Sequence, residues 1–466
     1  MSVEKCDLLL TGGAVVTVDD HRRVFDPGAV AVVGERIVEV GSASDLAGWQ
    51  ADRRIDTSGM VVIPGFADIH QHLFQYLLRG LGEGLSLWPW LSEFIWPVSE
   101  AITPEDALAG AQLGAVAAAR SGVTTVLDHH YTPTDIDTTV GVAKEIEKVG
   151  LRGAVARGMM GDVTAMARKH GLAGDIFHYS TADEIAITQE CIEAHPRGSH
   201  VEIWPAPVNV IYVSQDMIRA SVELARQSGT GWHTHCSEVE TDPIFYLEEY
   251  GIRPVDWLYE EGLLNSQATL AHGIFLDDNE VERVGETQTG IAYCPISHQY
   301  FALGVMRLRD LRSAGAIIGL GLDGGWGGPG DMFANMRQAI LLQRVHTRDA
   351  PVSKVEEALE LATREGARYM GTEAGYLSEG RLADIAVVKL GGPNNSPVHR
   401  VLANLVYSAT PSDVMYTIVG GRIIVENGQC VSVDENAILE EATVRAKALV
   451  RNAGLEGLLE PWRHPS

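Results

Sequence analysis

The sequence predicts an α/β protein: a (β/α)8 (TIM) barrel carrying a small β-sandwich domain assembled from both chain ends. Three observations predict it. Between about residue 61 and residue 324, short β-branched runs alternate with longer Ala-, Leu- and Glu-rich stretches of helical period, the rhythm of repeated βα units on a parallel sheet. The β-branched runs number eight, the number that closes such a barrel. On either side of this region the chain instead alternates like antiparallel strands with turn residues between them.

The expected barrel strands are 61–72, 122–130, 151–160, 201–210, 229–238, 268–275, 289–297 and 316–324. The first crossover is long and carries Trp88, Trp90 and Trp96 with several prolines and glycines, which predicts an excursion over the barrel mouth. Flanking strands are expected within 7–19, 29–40 and 53–62, and again within 383–390, 401–407 and 415–425. Residues 34–41 also echo residues 421–428, a match short enough for two ordinary hairpins. An amphipathic helix is expected over 435–452. The resulting division is a composite β-domain of residues 1–63 with 378–434, a barrel of residues 64–377, and a closing helix and tail of residues 435–466.

The composition of the 466 residues narrows the function. With 45% apolar residues the chain can bury a large core, and 36 basic against 62 acidic side chains leave a net charge of −26. That charge repels nucleic acid and anionic lipid surfaces, which predicts neither as a partner. The N-terminus has no basic segment followed by an apolar run, and no uncharged apolar run approaches the ~18 residues of a membrane span, so a cytoplasmic protein is expected. Five cysteines without a CxxC pair make a disulfide framework or a thiolate metal site unexpected.

The chemistry gathers at predicted strand ends. His70 and His72 close the first strand at i and i+2, so both imidazoles project from one side. A lone HxH pair is often structural; the other strand ends give it weight. The fifth ends His233-Thr234-His235-Cys236-Ser237-Glu238, the sixth Ala271-His272-Gly273, and the eighth Gly321-Leu322-Asp323-Gly324. In a barrel these termini converge on one face. His70, His72, His235 and Asp323 form a borderline-hard donor set suited to Zn²⁺ or Fe²⁺, with an open position for water, and Asp323 can ligate and also take a proton. Glu238 leaves the strand three residues past His235, where it can shuttle a proton without ligating. His272, one strand further on, can hydrogen-bond the attacking hydroxide. The structural alternatives are a surface carboxylate and a packed core histidine.

The run Val62-Ile63-Pro64-Gly65-Phe66-Ala67-Asp68-Ile69-His70-Gln71-His72, taken with the strand ends above and with Gly380-Arg381-Leu382-Ala383-Asp384-Ile385-Ala386, resembles the amidohydrolase superfamily. Within it the sequence looks most like the mononuclear deaminase branch, which includes guanine, 8-oxoguanine, cytosine and adenosine-type deaminases and the s-triazine hydrolases. The resemblance implies His70, His72, His235 and Asp323 as ligands of one divalent ion, Zn²⁺ or alternatively Fe²⁺, with Glu238 as proton shuttle and His272 beside the nucleophile. Binuclear relatives use a carboxylated lysine on strand four; here that strand reads Val201-Glu202-Ile203-Trp204-Pro205-Ala206-Pro207, without lysine. Two loops depart from the family pattern. Cys294-Pro295 is followed by Ile296-Ser297-His298 rather than Ser-Asn, and Asp323 by Gly324-Gly325-Trp326 rather than Ser-Asn-Asp.

The expected reaction is therefore deamination of a purine, pterin or triazine-like ring by metal-generated hydroxide attacking a ring carbon. Alternatives are displacement of an alkylamine, chloride or thiol from a xenobiotic, and a catalytically inactive binding protein of the same family. Gln75, Trp88, His129 and Trp326 are the expected substrate contacts. Gln75 would read an amide or ring nitrogen unless it only starts a helix, and the tryptophans would stack on a planar ring unless they pack loops onto the barrel. His129 and His130 are read as substrate-contacting or supporting rather than ligating, His233 as a packed support beneath His235, and Cys236 as packing. A small-molecule heterocyclic substrate and a homo-oligomeric assembly complete the expectation.

Overall fold

The computed structural model describes residues 4–169, 171, 176–325 and 330–459. Eight parallel barrel strands run Phe66–His72, Val123–His130, Arg152–Met159, Val201–Pro207, Trp232–Cys236, Ala268–His272, Gly290–Tyr293 and Ile317–Leu320. The first four pair side by side, as do the last four. A parallel bridge from Asn209 to His235 joins the fourth strand's exit to the fifth, and Asp323–Gly324 pairs with Gln71 and His72, which closes the ring. The barrel strands are almost wholly buried, as expected for a parallel sheet covered by helices.

The predicted first strand divides in two at Gly65, where the backbone changes partners: Gly65 N–H donates to the Asp384 carbonyl and Phe66 N–H to the Gly122 carbonyl, both at 2.9 Å, and a side chain at 65 would stand 2.2 Å from Thr124 Cγ2. Met60–Pro64 belongs to a second sheet, and only Phe66–His72 enters the barrel. That second sheet has seven strands contributed by both chain ends, and it meets across the antiparallel pairing of Ile385–Lys389 with Met60–Pro64. A further four-stranded sheet is formed by Lys5–Thr11, Gly28–Val33, Arg36–Ser42 and Gln50–Asp56. One buried apolar cluster draws Leu8, Leu10, Val30 and Ile55 from the smaller sheet and Val62, Ile385, Val387 and Ile418 from the larger.

One expected strand is corrected: Val401–Tyr407 is an α-helix. Its apolar positions Leu402, Leu405 and Val406 recur at helical rather than alternating spacing, and Asn404 anchors it by donating from Nδ2 to the carbonyls of Asn395 and Pro397, at 2.8 and 3.1 Å. The closing helix Glu435–Asn452 begins and ends where the sequence places it. In the first crossover, the short helical segments Leu87–Trp90, Leu91–Ile95 and Trp96–Ala101 cross the C-terminal mouth of the barrel before the long helix Pro104–Arg120 returns along its side.

Candidate metal centre and active site

The strand registers bring the expected residues to one depth. His235 lies beside Ala271, Cys236 beside His272, and Asp323 beside Gln71 between the two histidines of the first strand. Asp323 Oδ1 stands 3.5 Å from His70 Nε2 and 3.3 Å from His72 Nε2. The donor atoms of His70, His72, His129 and His235 all fall within 4.8 Å of one another, and so do those of His70, His272 and Asp323.

Hydrogen bonds dictate which nitrogen of each imidazole is free. His72 Nδ1–H donates to the carbonyl of His129 at 2.7 Å and His235 Nδ1–H to that of Val208 at 2.6 Å, which leaves both Nε2 atoms as lone-pair donors. His70 is set by a longer chain. Thr269 Oγ1 donates to the Trp232 carbonyl at 2.8 Å, so it accepts from His233 Nδ1–H at 2.9 Å; His233 Nε2 must then accept from His70 Nδ1–H, also at 2.9 Å. His70 Nε2 emerges with its lone pair exposed to the cluster and is buried without a hydrogen-bond partner. An unpaired buried acceptor is costly, and a bound cation would satisfy it. Three such nitrogens with one carboxylate fit a borderline divalent ion. Burial, reinforced by the neighbouring imidazoles, pushes His70, His235 and His233 below the usual histidine range, which keeps them in the neutral form that ligation requires.

His233, expected as a packed support beneath His235, hydrogen-bonds His70 instead. His129, expected against substrate, is fully buried among His70, His72, His233 and His235, with neither ring nitrogen hydrogen-bonded, and does not line the cleft. His130 is buried beside it and donates from Nε2 to the Pro133 carbonyl at 2.7 Å.

Glu238 Oε1 lies 3.4 Å from His272 Nε2. Burial, with the charges of Asp323 and Asp242 added, raises the Glu238 carboxyl well above the ordinary range, which suits a proton donor at neutral pH. His272, Asp323 and Ser237 all hold left-handed backbone, with φ of 73°, 63° and 50°. Such strain costs about 1–3 kcal/mol per residue and persists only where surrounding bonds overdetermine it. Around Asp323 those bonds come from Asp68 Oδ1, which accepts from Leu322 N–H at 2.9 Å, and from Asn335 Nδ2, which donates to the Gly321 carbonyl at 2.9 Å.

A cleft opens onto this cluster and is lined by His72, His235, Glu238 and Asp323 at its base. Gln75 and Trp88 line it as the sequence predicts, with Trp90, Trp96 and Phe301 adding aromatic wall. Trp326, the remaining expected contact, lies outside the described residues. Gln75 Nε2 donates to Tyr131 Oη at 2.7 Å, which leaves its buried carbonyl unpartnered. Sequence reasoning missed Asn209 and Asp242. Asn209 sits just past the end of strand four and was findable as a polar residue at a strand exit; its Oδ1 accepts from Ile211 N–H at 2.8 Å, leaving the amide NH₂ for the cleft. Asp242, in the first turn of the helix Thr241–Tyr250, carried only the signal of an acidic helix start. No lysine or arginine occurs among the described residues lining the cleft.

The sequence profile of the amidohydrolase family matches residues 61–424. The chain is 34% identical over 451 residues to a 5-methylthioadenosine/S-adenosylhomocysteine deaminase of Natronomonas pharaonis, covering 96% of this chain and 99% of that protein. A protein of the same name from Pelotomaculum thermopropionicum is 32% identical over 447 residues, with 95% and 99% covered. Among solved structures, a zinc-bound adenosine deaminase from Xanthomonas campestris superposes with a TM-score of 0.89 at 26% identity over 97% of this chain and all of that one. An atrazine chlorohydrolase from Arthrobacter aurescens TC1 shares the fold, with a TM-score of 0.87 at 24% identity over 94% of this chain and 100% of the other.

Proposed function

The chain belongs to the amidohydrolase family, and from that premise we propose that it is a metal-dependent hydrolase deaminating an N-heterocycle of the purine, pterin or triazine-like class. The observation that carries this reading is the pairing of two arrangements at one cleft base: the convergent nitrogens of His70, His72 and His235 with Asp323, and Glu238 set 3.4 Å from His272. One divalent ion per chain, assigned as Zn²⁺, would be held by His70, His72, His235 and Asp323 and would supply Lewis acidity that brings the pKa of water to about 7.

The protein's own groups account for the rest of the work. Glu238, buried and holding its proton well above the usual carboxylate range, protonates the ring nitrogen beside the attacked carbon, regains a proton from the hydroxyl then bonded to that carbon, and passes it to the departing amine. His272 directs Nε2 toward the same reacting atoms. Gln75 offers its free carbonyl to a ring N–H, and Asn209 offers amide hydrogens to a ring nitrogen or oxygen, so the two fix the ring in its plane. Trp88, Trp90 and Trp96 supply the flat apolar walls. The absence of lysine and arginine from the described cleft lining favours a substrate without an anionic group.

We assign residues 1–63 with 378–434 to a composite β-sandwich, residues 64–377 to the barrel and residues 435–466 to the closing segment. The apolar cluster shared by the two terminal sheets supports this division. The five free, buried cysteines support a cytoplasmic setting, and among the described residues no helix is long and apolar enough to cross a membrane. Leu341 and Val345 are exposed one turn apart on the helix Met332–Thr347, which supports a homo-oligomer.

The test is ammonia release from a panel of purines, pterins, pyrimidines and triazines by metal-loaded protein. Release from an amino-substituted ring is expected; a fully loaded, folded protein inert toward the whole panel would overturn the deaminase reading.

A further inference from the structure

We propose that Asp242 is a positioning residue for Glu238, its carboxylate clamping the turn on which the proton carrier stands. The inference rests on the role proposed for Glu238. Asp242 Oδ2 accepts from Glu238 N–H at 2.8 Å and from Val239 N–H at 3.1 Å, and all three groups are buried or nearly so. The same turn is gripped from its other side. The Ser237 carbonyl accepts from the N–H groups of Ile274 and Phe275, at 3.0 and 3.1 Å, and the Cys236 carbonyl accepts from Gly273 N–H at 3.1 Å. Between these two sets of bonds lies Ser237 at φ 50°, a left-handed conformation that a serine keeps only under constraint.

The arrangement is more than a helix cap. The residue that precedes the helix Thr241–Tyr250, Glu240, makes no side-chain cap. Asp242 reaches from inside the first turn back to the chain leaving strand five, and so ties the helix to the residue that carries the proton. It is 2% exposed and forms no ion pair among the described residues, so its bonds to the two backbone N–H groups are the anchor that holds it. Losing the clamp would let the turn relax from its strained form and carry Glu238 away from His272. A displacement of about 1 Å at a reacting group is enough to cost ~10²-fold in rate.

Asparagine keeps an oxygen where Oδ2 stands and can accept both N–H groups, whereas alanine cannot. Asp242→Ala and Asp242→Asn therefore separate the clamp from the charge. In Asp242→Ala, kcat is expected to fall by ~10²-fold with KM within about 3-fold of wild type and metal content unchanged. Amide exchange at Glu238 and Val239 should rise by about tenfold, the size of one lost buried hydrogen bond. Asp242→Asn should restore most of the lost turnover and the slow exchange. Unaltered kcat in Asp242→Ala would overturn the proposal. So would an Asp242→Asn protein as impaired as Asp242→Ala, since that points to the charge, or a rise in KM with kcat retained, since that points to direct substrate contact. If Asp242→Ala does not fold, Asp242→Ser, too short to reach both donors, takes its place with the same expectations. The exchange measurement needs no turnover: slow exchange in wild type, lost in Asp242→Ala and regained in Asp242→Asn, upholds the clamp even where wild type deaminates nothing on the panel.

Discussion

His298 Nε2 lies 3.3 Å from His272 Nδ1, and both rings are buried. This contact comes from the loop after strand seven, where the sequence departs from the Ser-Asn pattern of many relatives. The departure does not leave His272 without support. The helix Pro295–Tyr300 swings His298 inward, so that an imidazole orients His272 and leaves its Nε2 facing Glu238. Burial lowers His298 to about 3, so the supporting ring stays neutral and adds no charge beside the reacting groups.

His298→Ala is accordingly expected to lower kcat by about 10- to 100-fold, the usual effect of removing a partner that orients a functional histidine. Metal content should not change, because His298 touches none of His70, His72, His235 and Asp323 through a hydrogen bond. His298→Asn, which keeps a shorter hydrogen-bonding group, should fall between alanine and wild type in steady-state assays. Full activity in His298→Ala would show that His272 is held by its strained backbone alone.

The barrel and its convergent strand ends were legible because each rests on local pattern: β-branched runs, helical spacing, and chemistry-bearing residues where strands stop. Val401–Tyr407 reads as a strand when its β-branched and aromatic content is weighed above the i, i+3, i+4 spacing of Leu402, Leu405 and Val406, and Asn404 reaching Asn395 and Pro397 anchors the helix. Asp242 was illegible for a different reason. Its role depends on an i to i+4 return across a strained turn, and nothing in Glu238-Val239-Glu240-Thr241-Asp242 announces that Ser237 is left-handed. The position of His129 at a strand end points to the cleft, but whether such a residue faces the cleft or the imidazole cluster depends on strand twist, which sequence does not carry.

Acid should destabilise the protein partly through His130. Burial, only partly opposed by the Pro133 carbonyl, lowers this residue from 6.5 to about 4, so the unfolded chain takes up a proton that the folded protein refuses. Stability from this site is present above about pH 6.5, is lost as pH falls toward 4, and then levels. The loss amounts to about 3 kcal/mol at 1.36 kcal/mol per unit. Urea unfolding of His130→Asn between pH 7 and 4 should show a correspondingly shallower fall than wild type; parallel curves would contradict the lowered pKa.

Metal binding should be read in both stoichiometry and stability. Elemental analysis after removal of loosely held ions is expected to give about one divalent ion per chain, since the proposed set of His70, His72, His235 and Asp323 would hold one ion and strand four has no bridging lysine. Zn²⁺ at about 100 times its Kd should stabilise the apoprotein by about 2.7 kcal/mol. His235→Ala should lose metal, that stabilisation and activity together. A reproducible content near two ions per chain would sink the mononuclear assignment.

Glu238→Gln tests the proton carrier most directly. Glutamine keeps the size of the side chain and part of its hydrogen bonding toward His272, and the Asp242 bonds run to the backbone of residue 238, so the turn should stand unchanged. What is lost is the ability to give and regain a proton. Metal content is therefore expected to match wild type, KM to change little, and kcat to fall by ~10² to 10⁴, the usual contribution of a placed general acid–base group. The comparison with His235→Ala matters, because deleting a metal ligand also abolishes turnover but takes the ion with it. An inactive Glu238→Gln enzyme with its metal in place isolates proton transfer as the missing step. One that retains most of its turnover on a substrate found in the panel would reduce Glu238 to a cleft-wall carboxylate and leave His272 and Asp323 to move the proton.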